Sequence, residues 1–258
     1  MNSHSLVNPN AIIGKNTVIE AFSYIDDNVT IGSNCWIGNN VTIYSGAKIG
    51  NNVKIFPGAV ISSIPQDLKF DGEETTVEIG DKTTIRECVT ISRGTKDKYK
   101  TKIGKNCLLM AYSHIAHDCI VEDNCIIVNA VQIAGHSIIQ EYAIIGGGSL
   151  VHQFSNIGCH SMISGGSIIR KDVPPYCKAG KEPLSYKGVN SIGLKRRNFN
   201  QIQINQIQNM YRILYLEGKN ISQAINKISK EIEDSKEKEI ILNFIKSSER
   251  GVIKGILD

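Results

Sequence analysis

Aliphatic residues recur along this chain at every sixth position. From Val7 the phase runs through Ile13, Ile19, Ile25, Ile31, Ile37, Ile43, Ile49, Ile55 and Ile61. It resumes at Ile79, Ile85 and Ile91, then at Ile103, Leu109 and Ile115, and continues unbroken from Val121 to Ile169. Of 28 positions in phase, 25 are Ile, Val or Leu; the exceptions are Asp67, Glu73 and Asp97. Two residues before each aliphatic stands a small or β-branched residue, such as Ala11, Cys35, Val41, Ser113 or Ser149. Asn and Gly fill many of the positions between, where left-handed backbone costs them little.

A period of six fits neither an α-helix nor a lone amphipathic strand. It fits a short strand plus a turn, repeated. Such a unit cannot bury its apolar face alone, so neighbours must stack into a solenoid. The pattern predicts a parallel β-helix over residues 1–175, ended by Pro174-Pro175. Segments 62–78 and 92–102 replace the aliphatics with polar groups, four of them lysines in the second, without losing the phase. Insertions in solenoids form surface loops that often line binding sites, although a neutral insertion leaves the same pattern. Residues 176–258 read as an extended linker and an α-helical C-terminal domain. There Ile207, Met210, Tyr211 and Leu214 mark one amphipathic face, ended by Gly218. Ile221, Ile225, Ile228 and Ile232 mark a second helix, and Ile240, Ile241, Phe244 and Ile245 a third. These stripes read as packing surface rather than as a ligand box.

Composition narrows the class. The chain has 258 residues, 41% apolar and 21% charged, which excludes a wholly disordered protein. No apolar run approaches the ~20 residues that cross a bilayer. The polar start MNSHSLVNPN lacks a signal peptide's apolar stretch. A soluble, cytoplasmic protein without membrane insertion is expected. Residues 1–194 carry 17 basic and 17 acidic side chains; residues 195–258 carry 12 and 8. The net charge of +4 therefore lies in the C-terminal unit. That excess suits an acidic partner or a phosphate-bearing ligand, and equally a solvated helix surface. Cys35, Cys107, Cys119 and Cys125 fall in the small inward slot, where they act as small hydrophobes. Seven cysteines with no C-x-x-C pair predict free thiols rather than disulfides or a zinc knot.

Candidate chemistry gathers in one stretch. Five of the six histidines (His114, His117, His136, His152 and His160) fall within 47 residues, and none occupies an inward slot. With 18 residues per coil, His117 stacks next to Gly135, and His136 lies beside it. An imidazole can act as a general base at neutral pH. An adjacent glycine presents its amide without steric cover, as an oxyanion hole requires. His117 with Gly135 is thus a workable acyl-transfer pair. Three histidines also suit zinc, and hexapeptide solenoids include a zinc carbonic anhydrase family. Its paired ligands stand four residues apart, a spacing absent here, so no metal is expected. No phosphate-cradling P-loop is present, and no nucleic-acid partner is expected.

Five motifs stand in order along the chain. They are Gln66-Asp67-Leu68-Lys69, His114-Ile115-Ala116-His117-Asp118-Cys119, Ala134-Gly135-His136 and Val151-His152-Gln153-Phe154, followed by Gly193-Leu194-Lys195-Arg196-Arg197. Together they resemble the UDP-N-acetylglucosamine acyltransferase family that begins lipid A synthesis, over essentially the whole chain. The resemblance implies a left-handed parallel β-helix, against the usual right-handed crossover preference. It implies a homotrimer with active sites between subunits. It implies transfer of an (R)-3-hydroxyacyl group from acyl carrier protein to the 3-hydroxyl of UDP-N-acetylglucosamine. The donor rides on the carrier's phosphopantetheine, and no other cofactor is implied. By the same resemblance His117 matches the catalytic base, Asp118 its orienting partner and the Gly135 amide the oxyanion donor. Gln66, Asp67, Lys69, His114 and His136 match substrate-positioning groups. His152 and Gln153 match contacts to the sugar phosphates or the pantetheine arm. Asn190, Arg196 and Arg197 match groups on the nucleotide or carrier side. Gly165 matches the position that limits acyl length. Adjacent residues on a regular strand point apart, so a His117–Asp118 pair requires a bend.

This chain departs from the family's usual pattern at Ser92, where relatives often carry His, and at Ile192, where they often carry an acidic residue. Three other readings compete. A related N-acyltransferase acts later in the same pathway, but usually carries an N-terminal uridine-binding domain, for which the repeat starting at Val7 leaves no room. A hexapeptide acetyltransferase would use acetyl-CoA. A non-enzymatic scaffold would tolerate loss of His117.

Overall fold

The computed structural model describes residues 4–255. The outer ends of the two expected units, residues 1–3 and 256–258, lie outside the described residues. Short strands, most of two residues, succeed one another along residues 6–169. Each strand joins a different sheet from the one before it, so the chain winds round a three-sided prism. The three sheets hold nine, eight and ten strands. Register is strict: Ile115 pairs with Ile133, Ile133 with Val151 and Val151 with Ile169. The architecture is a left-handed parallel β-helix followed by a small helical unit.

The hexad explains each part of the coil. The in-phase aliphatics from Ile19 to Ile169 fill the interior and are fully buried. Their small predecessors sit near the corners. Where these are serines, most hydroxyls bond a corner carbonyl, as Ser137 does to Ala134 and Ser149 to Gly146, both at 2.7 Å, whereas Ser113 and Ser155 have no such partner among the described residues. The inward slot accepts a hydroxyl most readily where a corner carbonyl satisfies it. One residue per corner takes a left-handed conformation. Asn fills many of these sites, with φ 58° at Asn34. Elsewhere Asp118 (φ 58°), His136 (φ 62°) and Phe154 (φ 62°) bear the strain.

Both polar segments leave from one corner. Ile43 pairs with Ile61, eighteen residues on. Ile61 pairs with Ile91, thirty on, and Ile91 with Ile115, twenty-four on. The loops follow strands Val60–Ser63 and Thr90–Ser92. The same corner carries His117 and Gly135, so the insertions are not scattered over the prism.

The segment expected to be an extended linker is structured instead. Strand Cys177–Gly180 pairs in parallel with Met162-Ile163 and continues the third sheet past Pro174-Pro175. Strand Ser185–Val189 returns antiparallel to it, and helix α1 (Ser191–Arg196) follows. The alternation of buried Cys177 and Ala179 with exposed Lys178 explains the strand. All three fall outside the hexad phase, which hid them from a six-residue reading.

The three expected helices are α2 (Gln201–Tyr215), α3 (Ile221–Glu231) and α4 (Lys236–Ser247). Asn200 with Gln203, and Asn220 with Gln223, form capping boxes; Ser235 caps α4. Most of their apolar stripes are core, with Ile207, Met210, Tyr211, Ile228, Ile241 and Ile245 buried, whereas Ile221 at the start of α3 is exposed. Two contacts fasten this unit to the last coil. The Tyr211 hydroxyl donates to the Pro175 carbonyl, and the buried Asp172 carboxylate accepts from Asn156 N (2.8 Å) and Ser248 Oγ (2.6 Å). A second corner adds an aromatic column. His160 stacks between Tyr142 (4.8 Å) and Tyr176 (5.5 Å), with Phe199 edge-on, and Arg197 covers Tyr142.

Two predictions follow from these cores. Ile127 has no exposed surface. Ile127→Asp places an unpaired charge inside the prism and should cost on the order of 3–5 kcal/mol in denaturant unfolding. Unchanged stability would overturn the assignment of the inward phase. Burial, with Arg197 and Lys236 nearby, pushes His160 down to about 4. The unfolded chain therefore takes up this proton near pH 6.5 while the folded one does not. Stability should fall as pH drops from about 6.5 to about 4. His160→Phe, which keeps the stack, should flatten that part of a melting-temperature profile; an unaltered acid slope would contradict it.

Candidate active site

The bend that lets two adjacent residues meet is the left-handed backbone at Asp118. His117 ends one strand's corner, Asp118 turns it, and their side chains come together with Nδ1 to Oδ2 at 2.8 Å. Asp118 is fully buried. Its carboxylate also accepts from Thr95 N (3.0 Å), Thr95 Oγ1 (2.6 Å) and Lys98 N (3.2 Å), all in the second loop. Burial pushes this carboxyl up, but the hydrogen bonds from Thr95 and His117 outweigh it and hold it below the usual aspartate value. An ionised carboxylate only accepts, so His117 carries its proton on Nδ1. Nε2 is left as the basic atom and has no hydrogen-bond partner among the described residues.

Gly135 lies one coil on, against the face of this imidazole. A Cβ built there would stand 2.8 Å from His117 Cε1 and 2.9 Å from Nε2. Only glycine lets ring and backbone approach this closely. The Gly135 amide makes no hydrogen bond among the described residues. A basic nitrogen and a free N–H thus sit side by side at the mouth of a cleft of about 420 Å³.

The cleft unites several of the expected residues and leaves others outside. Gln66, His114, His117, Gly135 and Gln153 line it, together with Ser92. Thr90 Oγ1 holds His114 Nδ1 at 2.7 Å. Burial and the neighbouring His117 push His114 down, which favours the neutral ring. His136 stands behind the cleft. Its ring meets His117 edge-on at 5.1 Å and stacks on Phe154 at 4.5 Å. His136 Nδ1 is 3.1 Å from Asp97 Oδ2, at an angle that makes no hydrogen bond. Asp67 and Lys69 lie in the first loop beside Gln66, where the Asp67 carboxylate accepts from Lys69 N. His152 is exposed, with Nδ1 3.0 Å from the Gln153 carbonyl.

The remaining expected residues occupy the two other corners. Asn190 is buried; it caps α1 through Gly193 N and donates to the His160 carbonyl at 2.9 Å. Arg196 is exposed. Arg197 donates to the Tyr142 carbonyl at 3.1 Å and lies over the Tyr142 ring at 4.9 Å. Gly165 packs beside Gly147 on the third corner. Within one chain none of these four lines the cleft.

Thr95 and Lys98 were not legible as site residues. They belong to a non-periodic loop, and only the lysine-rich break in the repeat marked it. His117, Asp118 and His136 bring their ligand atoms within 4.8 Å of one another, close enough for a metal ion. The donor set fits one poorly. Four N–H or O–H groups already converge on Asp118, and His117 Nδ1 is one of them. The arrangement suits proton transfer.

Comparison with known proteins agrees with this chemistry. The family described as "Udp N-acetylglucosamine O-acyltransferase; Domain 2" matches residues 172–253, and "Bacterial transferase hexapeptide (six repeats)" matches 28–63 and 100–131. An acyl-[acyl-carrier-protein]--UDP-N-acetylglucosamine O-acyltransferase from a Sulfurihydrogenibium species is 55% identical over 249 residues, covering 96% of this chain and 92% of its own. One of the same name from Psychromonas ingrahamii is 58% identical over 190 residues, 73% of this chain and 72% of its own. The crystal structure of a UDP-N-acetylglucosamine acyltransferase from Bacteroides fragilis superposes with a TM-score of 0.97 at 49% identity, covering 98% of this chain and all of the other. The Francisella novicida enzyme gives 0.95 at 36% identity, covering 98% and 93%. With the whole β-helix and its helical cap shared at this identity, the chain belongs to the UDP-N-acetylglucosamine O-acyltransferase family.

Proposed function

We propose that this protein transfers an (R)-3-hydroxyacyl group from acyl carrier protein to the 3-hydroxyl of UDP-N-acetylglucosamine, the opening step of lipid A synthesis. The observation that carries the reading is the pairing of a free His117 Nε2 with the free Gly135 amide on one corner. Asp118 holds the imidazole tautomer. Nε2 takes the proton from the sugar 3-hydroxyl as that oxygen attacks the thioester carbonyl. The carbonyl oxygen becomes an oxyanion and accepts from Gly135 N–H. Collapse breaks the C–S bond, and the departing thiolate takes the proton from His117. The acyl group arrives already activated as a thioester on phosphopantetheine, so the step calls for no further cofactor. His114, Gln66 and Gln153 line the same cleft, which suits the first two to positioning the sugar and the third to contacting the donor arm.

The scatter of the other residues supports an assembly. Asn190, Arg196, Arg197 and Gly165 lie on corners remote from His117. In a homotrimer of prisms packed side by side, one chain's His117 corner faces another corner of its neighbour. Nucleotide contacts from Arg196 and Arg197, and the acyl limit at Gly165, would then come from the adjacent subunit. Among the described residues no helix is long and apolar enough to cross a membrane. We place the reaction in the cytosol, with its soluble donor.

Two measurements test this. Acyl transfer to UDP-N-acetylglucosamine from a ladder of hydroxyacyl carrier proteins should proceed with the wild type. It should fall by about 10²–10⁴-fold in a folded His117→Ala variant. Transfer unaffected by that change would refute the mechanism. A Cβ at Gly165 would stand 3.1 Å from the Gly147 carbonyl oxygen, a close contact on the outer corner. Gly165→Met should shift the product profile toward shorter chains, and an unchanged profile would remove Gly165 from the acyl site.

A further inference from the structure

The second loop does more than frame the cleft. From Thr95 to Lys98 it places three donors on one carboxylate that the proposed mechanism uses only through His117. Thr95 supplies two of them, one to each oxygen of Asp118. Its hydroxyl has a fixed direction, because the amide of Asp97, which can only donate, reaches Thr95 Oγ1 at 3.3 Å. The hydroxyl proton therefore points at Asp118 Oδ2, the same oxygen that accepts His117 Nδ1–H. Thr95 is itself buried, so water does not replace it.

The loop is held in this pose by its own geometry. At Gly94 a Cβ would stand 2.2 Å from Lys100 N, so the chain doubles back at a distance only glycine permits. Glu73, from the first loop, accepts from Lys96 N and Asp71 N, each at 2.9 Å. The two insertions thereby brace each other over the Asp118 corner.

We propose that Thr95 is a positioning residue for proton transfer at His117, acting through Asp118. The inference rests on His117 being the base. Thr95 fixes which oxygen faces the imidazole and shares that oxygen with it. A carboxylate stripped of the hydroxyl donor grips the Nδ1 proton harder and turns more freely. The other charged or titratable groups facing the pair are His136, whose Nε2 lies 3.9 Å from Asp118 Oδ2, Asp97 beyond it, His114 across the cleft and Lys98 through its amide. None of them changes in the variants below.

The test compares wild type, Thr95→Val, Thr95→Ser and His117→Ala in the same acyl-transfer assay, with thermal unfolding measured in parallel. Thr95→Val keeps the shape and the backbone donor but loses the hydroxyl. It should lower kcat by about ten- to one-hundred-fold with little change in KM for the sugar nucleotide. It should also move the acid limb of the kcat/KM profile to higher pH. Thr95→Ser should restore most of the rate and the limb. Wild-type rate and profile in Thr95→Val would overturn the proposal. So would a loss that Thr95→Ser fails to restore and that leaves the limb in place, since that is a purely structural effect. Failure of the proposed function itself reads differently: wild type transfers nothing, or His117→Ala is as active as wild type.

Discussion

A residue in this protein has the same surroundings as the residue one coil on, because the backbone of each coil bonds to the next in strict register. Ile115, Ile133, Val151 and Ile169 make one interior column by this rule. His117 and Gly135 make an exterior one. The rule acts on corners as much as on faces. Phe154 stacks on His136, and Tyr176 on His160, which in turn stacks on Tyr142. Side chains that would be hundreds of possible neighbours in an irregular fold are reduced to those above and below.

That rigidity is what the chemistry draws on. His117 is placed by a backbone hydrogen-bonded on both sides, not by a mobile loop. The left-handed turn at Asp118 is uncommon for residues other than glycine, although aspartate, like asparagine, tolerates it better than most. The ladder on either side compels it, and the result is a pair of adjacent side chains that face each other. The loops then add what periodicity cannot, namely donors aimed at a point. Thr95 and Lys98 N–H groups fill the lone pairs of a buried carboxylate that would otherwise lose its charge.

The sequence disclosed the parts of this arrangement that repeat. Every in-phase aliphatic from Ile19 to Ile169 is interior, and the stacking of His117 on Gly135 follows from counting eighteen. The helices were equally legible, since Ile207, Met210, Tyr211 and Leu214 lie on one local face. What stayed hidden was non-periodic. Thr95 reaches Asp118 across 23 residues through a loop with no pattern of its own. The hairpin after Pro175 alternates with period two inside a chain dominated by period six. The resemblance put Asn190 and Arg197 on the nucleotide or carrier side, and nothing in the repeat showed their second, structural engagements within the chain. The fold engages one as a buried helix cap and sets the other on an aromatic ring.

The antiparallel return of Ser185–Val189 along Cys177–Gly180 has a consequence at the scale of many molecules. A bare parallel coil is a template: its last turn offers a row of backbone groups in the geometry of the next turn, and identical chains can add to it without limit. Reversing strand direction at the end of the third sheet spoils that match. Helix α2 then packs against the returning strand, with α3 and α4 packed on α2. The hairpin therefore opposes the stacking of a further parallel coil on this sheet, a safeguard that a fold built on repetition needs at its end.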